Sequence, residues 1–343
     1  MAELVEFLPN AASRAEWGRY HAFRRLENAE FRPDEPLAPD DVVEVREKRS
    51  DPFNWSRSFH VVQGDVVVAQ LEAAGPRPAS PEYPTNRHLL WAAGYVLQAH
   101  RRQGIALTWV PRVVGLLEEY GATVLSSYAE DDTGHGLMRR LGAEAKMVER
   151  QSRLDLRALD WDMVARWIAE SEAGAEGARL ELYTPWVPEE QLEEYCAAMN
   201  ELMNTMPFEG LDHGDIVTSP AVVLEWRDRM RLTGTINPTC LVRDADGTIV
   251  GMTDTIKHDY EPGIVRQNFT GVHLRARGRG LGKWLKAAML EHIRRAHPDT
   301  IWLSTENAGS NAPMLSINQA LGYRLHRTVT FYQVALETLR RSS

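Results

Sequence analysis

Arg277-Gly278-Arg279-Gly280-Leu281-Gly282-Lys283 is the stretch best equipped to do chemistry. In the pattern Arg277-x-x-Gly280-x-Gly282, small residues stand where backbone N–H groups must face outward. The apolar, β-branched run from Val265 to Leu274 predicts a strand before it. Leu281, Leu285, Met289 and Ile293 then recur at helical spacing. A glycine-rich turn that opens a helix is an anion site, because unpaired N–H groups and the helix dipole both favour negative charge. The chemistry this predicts is capture of a phosphate or diphosphate, with Arg279 and Lys283 adding charge.

The same layout occurs earlier as Arg101-Arg102-Gln103-Gly104-Ile105-Ala106. The two arginines are 176 residues apart, and a valine (Val96, Val272) stands five residues before each. A repeat of that length implies two copies of one domain.

The elements needed to position these loops follow in the same order in each half. Residues 1 to about 50 read as charged helices, the second capped by Asp40 or Asp41 and running through Arg49. Phe59–Val62 and Val66–Ala69 around Gly64-Asp65 predict a hairpin, and His88–Leu97 a strand. After the first loop come a helix through Leu117, a strand at Thr123–Ser126 and a short helix ending near Leu141. In the second half Leu180–Tyr183 predicts a strand, Glu189–Asn204 and Ile216–Arg231 predict helices, and Thr239–Arg243 with Ile249–Ile256 predicts a hairpin. After the second loop come a strand at Ile301–Ser304, a helix at Ser310–Leu321 and a last strand at Phe331–Leu336. The expected division is an N-terminal domain over 1–157, a linker over 158–178 and a C-terminal domain over 179–343.

The chain has 343 residues, a net charge of −9 and 43% hydrophobic residues, the composition of a globular protein. An acidic balance disfavours broad nucleic-acid binding and suits a cationic substrate. No apolar run approaches the ~20 residues of a membrane span. No leader is visible at Met1–Glu6, so the expected location is cytoplasmic. Cys196 and Cys240 have no metal-ligand spacing and read as small buried hydrophobes. No metal is expected.

This order of motifs resembles the GNAT superfamily of acyl-CoA N-acyltransferases in its tandem, two-domain form, of which mycothiol synthase is a member. Arg277, Gly280 and Gly282 match the family's Gln/Arg-x-x-Gly-x-Gly/Ala loop, as do Arg101, Gly104 and Ala106. Asn311 followed by Gly322-Tyr323 matches a second family motif. The resemblance implies an α+β fold with a mixed, mostly antiparallel twisted sheet and helices on both faces of each domain. It also implies acetyl-CoA, with its pyrophosphate on the loop and its pantetheine arm along Val272, His273 and Leu274. The coenzyme A residues implied are then Val272, His273, Leu274, Arg277, Gly278, Arg279, Gly280, Leu281, Gly282, Lys283, Asn307 and Asn311. A second acyl-CoA site would use Val96, Arg101, Arg102, Gln103, Gly104 and Ala106.

The C-terminal copy has the fuller glycine loop, whereas Asp131 replaces the helix-opening Asn in the N-terminal copy. The expectation is a catalytic C-terminal domain and a degenerate N-terminal one. The family's usual tyrosine acid is replaced by Asn318 and Met138, and its usual glutamate falls near Arg266 or Gln267. Candidate bases are therefore Glu306, His258 and Glu209, and candidate acids Tyr332 and Tyr260, each with a hydrogen-bonding structural role as the competing reading. Glu209, Thr253, Gln267 and Thr270 are the expected acceptor contacts, in a site between the domains or over the C-terminal sheet. The activity implied is direct acetyl transfer from acetyl-CoA to the primary amine of a small molecule. The rivals are a non-catalytic acyl-CoA or ligand-binding protein and a protein N-terminal or lysine acetyltransferase. Oligomeric state is open.

Overall fold

A computed structural model describes residues 3–341. It divides into two compact units, and the division is not sequential. The N-terminal unit takes the chain through Met147, then Gly210–Asp215, then the chain from Val329 onward. The C-terminal unit takes Val148–Glu209 and Ile216–Thr328. These bounds differ from the expected 1–157, 158–178 and 179–343.

In the N-terminal unit β1 (Glu3–Phe7), β2 (Asn54–Gln63), β3 (Val66–Pro76), β4 (Leu89–Val96), β5 (Val124–Ala129) and β13 (Arg324–Ala335) lie side by side in that order. Only β4 and β5 are parallel. Helices α1 (Arg14–Phe31), α2 (Asp40–Lys48), α3 (Tyr83–Asn86), α4 (Val110–Tyr120), α5 (Asp132–Arg140) and α11 (Leu336–Arg341) complete it. One face of the sheet packs Leu90, Ala92 and Leu125 against Val113, Leu116 and Leu117 of α4. The other packs Val67, Tyr95 and Leu97 against Phe23 of α1. Alternation along β4 makes this two-sided burial possible.

In the C-terminal unit the order is β6 (Glu144–Asp155), β12 (Trp302–Ala308), β11 (Ile264–Val272), β10 (Ile249–His258), β9 (Thr239–Arg243) and β7 (Arg179–Tyr183), with β8 (Thr235–Ile236) on β10. Here the parallel pair is β11 and β12. Its helices are α6 (Trp161–Ala173), α7 (Leu192–Met203), α8 (Pro220–Leu232), α9 (Leu281–Ala296) and α10 (Ala312–Leu321). The α+β class and the mixed sheet agree with the sequence. No helix among the described residues is long and apolar enough to cross a membrane.

Three local expectations need correction, and one strand was not expected. Glu3–Phe7 is a strand, paired antiparallel with β2, not part of a helix. α2 starts after Pro39 without a side-chain cap; Asp40 instead takes an ion pair from the buried Arg24 at 3.3 Å. Glu144–Asp155 is a long strand that charged side chains conceal. The expected linker is core: Leu159, Val164, Ala175 and Ala178 are buried with Leu281, Leu285 and Leu290 of α9.

The last strand is what separates the units from the sequential halves. β13 pairs Thr330–Ala335 with Val124–Ala129 of β5, and Val334 and Leu339 are buried in the N-terminal core. β6 in turn pairs Glu149–Asp155 with β12 in the C-terminal unit. Burying Val334 and Leu339 contributes about 1.5–3 kcal/mol each, against a total stability of about 5–15 kcal/mol. A fragment ending at residue 157 also leaves the β5 edge bare. It is expected to show no cooperative thermal transition by circular dichroism, whereas the full chain does.

Candidate functional site

Both loops fold alike. Gly104 has φ 79°, ψ 3° and Gly280 has φ 79°, ψ 0°, a left-handed conformation that glycine adopts without Cβ strain. Two residues earlier, Arg102 (φ 63°) matches Gly278 (φ 81°). An arginine held there costs about 1–2 kcal/mol, so the N-terminal loop keeps the shape without the second glycine. Arg101 Nε donates to the Val96 carbonyl at 3.0 Å, and Arg277 Nε to the Val272 carbonyl at 3.2 Å. The valine five residues upstream is the arginine's anchor.

Beyond each loop the parallel strands part. The last β4–β5 pair is Trp91 with Ser126, and the last β11–β12 pair is Gln267 with Thr305. Leu97 N–H donates to Val68 at 3.0 Å and His273 N–H to Val250 at 2.8 Å. That turns the N–H and C=O of Val96 and Val272 away from those partners and toward the gap. Extended backbone along one side of a gap, ending in an anion loop, suits a pantetheine arm and its diphosphate.

The space around the gap differs sharply. In the N-terminal unit a cavity of about 750 Å³ runs from His100, Gly104 and Ala106 past the gap at Gly94–Val96 to Tyr20, Glu27 and Glu72. Small residues line it: Ala93 and Gly94 on β4, Gly134 and Gly136 on α5. In the C-terminal unit Phe269 is folded so tightly over Gly271 that a Cβ there would lie 2.4 Å from its ring. Ile317 of α10 stands 3.3 Å from where a Gly282 Cβ would be. A separate cavity of about 60 Å³ in the C-terminal unit lies among Trp186, Tyr195, Trp226, Asn237 and Asp254.

The expected C-terminal residues fall into three groups. The stretch from Val272 to Gly282 forms a turn into α9, with Leu274 61% exposed and Leu281 turned into the core. Its cations are engaged elsewhere. Arg279 pairs with Asp244 at 3.1 Å and donates to the Ala175 carbonyl. Lys283 Nζ lies 5.2 Å over the Trp167 ring. The helix expected as a linker provides that indole. His273 pairs with Glu201 at 2.7 Å; Asn307 accepts from Asn318 at 2.7 Å; Asn311 caps α10 through Met314 N–H at 3.4 Å.

The acceptor candidates are mostly interior. Thr253 is 0% and Gln267 4% exposed. Gln267 Nε2 donates to Thr253 Oγ1 at 3.0 Å, Thr253 bonds Thr270 at 2.7 Å, and Lys286 Nζ donates to Gln267 Oε1 at 2.7 Å. This closed network is structural, which corrects the assignment of Thr253 and Gln267 to substrate. The Glu209 carboxylate accepts from Ser310 N–H at 3.3 Å.

The catalytic candidates do not converge. His258 bonds Thr235 at 2.8 Å and stacks on Tyr260 at 5.0 Å. It lies seven residues along β10 from Gly251, the partner of Val272, or about 23 Å at strand rise. That distance removes both His258 and Tyr260. Tyr332 belongs to the N-terminal unit and bonds His135 at 3.0 Å. Glu306 stands one residue past the last β11–β12 pair and accepts from Gln151 at 2.7 Å. Asp131, which replaces the helix-opening Asn, pairs with Arg101 at 3.0 Å and caps α5 through Gly134 N–H at 2.7 Å.

Sequence reasoning missed the carboxylates of the N-terminal cavity. Glu72 on β3 is paired with Ala93 of β4, two residues into the gap. Its side chain is solvent-accessible and lines the cavity, and the protein packed around it raises its pKa. Glu27 of α1 is pushed to about 7, first by burial and then by Glu72. The signal was present in Gln70 and Glu72, two polar residues on alternate positions of the apolar run Val66–Ala74.

Comparisons with known proteins agree with this architecture. Residues 197–323 match the acetyltransferase (GNAT) family. The fold resembles a tandem GNAT protein from the clavulanic acid biosynthesis pathway, in a structure without AcCoA, at TM-score 0.76 and 21% identity over 98% of this chain and 99% of that one. It also resembles a GCN5-related N-acetyltransferase from Sphaerobacter thermophilus, at TM-score 0.66 and 16% identity over 98% and 96%. A third likeness is to a GCN5-related glucosamine N-acetyltransferase region of a fungal multi-domain GH3 β-N-acetylglucosaminidase, at TM-score 0.67 and 10% identity. It covers 97% of this chain and 38% of that one. No curated protein sequence matches. The chain is thus a tandem protein of two GNAT-fold units.

Lys286 gives a stability test. Burial lowers its pKa from 10.5 to about 7, so the unfolded chain binds more protons between those values and stability falls as pH drops from 10.5 to 7. Lys286→Met is expected to be more stable than wild type at pH 7 by up to about 4 kcal/mol. The gain should shrink as pH rises through that window, as read from urea unfolding at several pH values.

Proposed function

We propose that the protein is an acyl-CoA-dependent N-acyltransferase that moves acetyl from acetyl-CoA to the primary amine of a small molecule, and that transfer occurs in the N-terminal unit. The observation that carries this reading is the single cavity joining the anion loop at Gly104 to the carboxylates Glu27 and Glu72. Its volume, about 750 Å³, lies within the range of small-molecule sites. The loop N–H groups would hold the diphosphate, and the edge from Ala93 to Val96 would hold the arm. The thioester would then sit beside the partner strand of Glu72. The sequence had ranked the C-terminal copy first because of its glycines. Cavity and carboxylates support the opposite order.

Calorimetric titration of acetyl-CoA tests this. A Cβ at Gly104 or Gly280 meets nothing closer than 4.0 Å, so aspartate at either position acts through backbone strain and its charge beside the diphosphate. Gly104→Asp is expected to weaken the tightest binding about 100-fold, roughly 2.7 kcal/mol, and to abolish thiol release with an amine panel. Gly280→Asp should leave both near wild type. The reverse pattern would return the reaction to the C-terminal unit. Binding without thiol release for any amine would favour an acyl-CoA-binding protein.

A further inference from the structure

The inner end of the N-terminal cavity is a chamber with two kinds of wall. Tyr20, Trp91, Tyr95 and Tyr128 supply aromatic surface. Glu27 from α1 and Glu72 from β3 supply charge. Two carboxylates lining one chamber repel each other, and a cation entering between them relieves that repulsion. Aromatic faces add attraction for the same cation. The arginines nearby offset the charge only in part: Arg24 and Arg32 act on Glu27 and Arg46 on Glu72, but each is also held by partners of its own. Arg24 is held by Asp40, the Ala38 carbonyl and His21, and Arg46 by Glu47 at 2.8 Å.

The two carboxylates differ in position. Glu72 is opposite Ala93 in the β3–β4 register, so both side chains rise from the same face, about 5 Å apart. Ala93 begins the backbone edge that ends at Val96 and the loop. Glu72 is thus one strand from the edge that would carry the thioester. One of its oxygens accepts from Gln70 Nε2 at 2.8 Å, which fixes the carboxylate. Glu27 is on the opposing helix.

We infer that the chamber between Glu27 and Glu72 seats the acceptor's protonated amine, an ammonium on an aromatic or apolar body, and that Glu72 is the base that removes its proton. This rests on the acyl-transfer reading above. The balance is complete without a further reactant. The ammonium gives one proton to Glu72 and becomes a nucleophilic amine. Its nitrogen bonds to the thioester carbonyl carbon as the carbon–sulfur bond breaks. The nitrogen's second proton goes to the departing sulfur, and Glu72 returns its own proton to water.

Kinetics of Glu72→Gln and Glu27→Gln test this, with acetyl-CoA as donor and tryptamine, spermidine, glucosamine and hydroxylamine as acceptor probes. Groups facing Glu72 are Tyr20, Arg24 and Glu27 of α1, Arg46 and Glu47 of α2, and Tyr128 of β5. With the best protonated amine, Glu72→Gln should lower kcat about 100-fold and abolish the acidic limb of the pH profile. Acetyl-CoA affinity by calorimetry should stay within about twofold. Hydroxylamine, a free base at neutral pH, should lose far less rate. Glu27→Gln removes a like charge and should move the limb to lower pH. Wild-type kcat and pH profile in Glu72→Gln, or an unmoved limb in Glu27→Gln, would overturn the inference. If wild type binds no acetyl-CoA or releases no thiol with any probe, the acyl-transfer reading itself fails, and this one with it.

Discussion

Each unit depends on a parallel strand pair that stops pairing before it ends. In the N-terminal sheet β4 and β5 part after Trp91 and Ser126. Backbone groups along the gap then lose their sheet partners, and an unpaired buried N–H or C=O costs about 1–3 kcal/mol. A fold that keeps such a gap must meet that cost with water, a side chain or a ligand. Arg101 meets one part by donating to the Val96 carbonyl. The N–H groups beside it remain for whatever enters. Loop, cavity and carboxylates are all arranged around this interruption.

The duplicated loops separate what defines a binding motif from what makes a binding site. Backbone dihedrals at Gly104 and Gly280 coincide, and so do the arginine anchors. Arg102 holds a left-handed conformation that glycine holds at 278. The loop shape therefore does not track glycine content. Room does depend on side chains several residues away. Phe269 packs with Leu241 and Met252 of its own sheet and with α7, whereas Ala93 leaves that direction open. In the copy that looks more complete in sequence, Phe269 packs over Gly271 where the other copy has Ala93 and Tyr95.

This explains what could be read from the chain and what could not. The 176-residue register, the strand–loop–helix order and the arginine–valine spacing are local, and local patterns survive in sequence. β13 closing the sheet of the other half is not local. Its partner β5 lies about 200 residues away, and nothing in Arg324–Ala335 names that edge. β6 was hidden because its exposed positions are charged, so the apolar alternation of a half-buried strand is weak. Glu27 and Glu72 have no motif around them, and the glycine content points to the other half. Only the fold brings residues from α1 and β3 to the same gap.

The strands next to the two gaps carry a carboxylate at the same place. Ala69 faces Val96 and Gly251 faces Val272; three residues further on stand Glu72 and Asp254. Burial raises the pKa of both. Their hydrogen bonds set them apart. Asp254 accepts from Asn237 at 2.8 Å, from Asn268 at 2.9 Å and from the Phe269 N–H at 3.0 Å. Those donors hold it in a fixed frame and act against the burial that raises its pKa. Its bond to the Phe269 N–H also fixes the backbone that carries the ring packed over Gly271. Glu72 has the Gln70 amide and an open cavity. One position thus supports two outcomes. Paired to a backbone N–H, the carboxylate locks the gap; left facing the cavity, it keeps the capacity to exchange a proton.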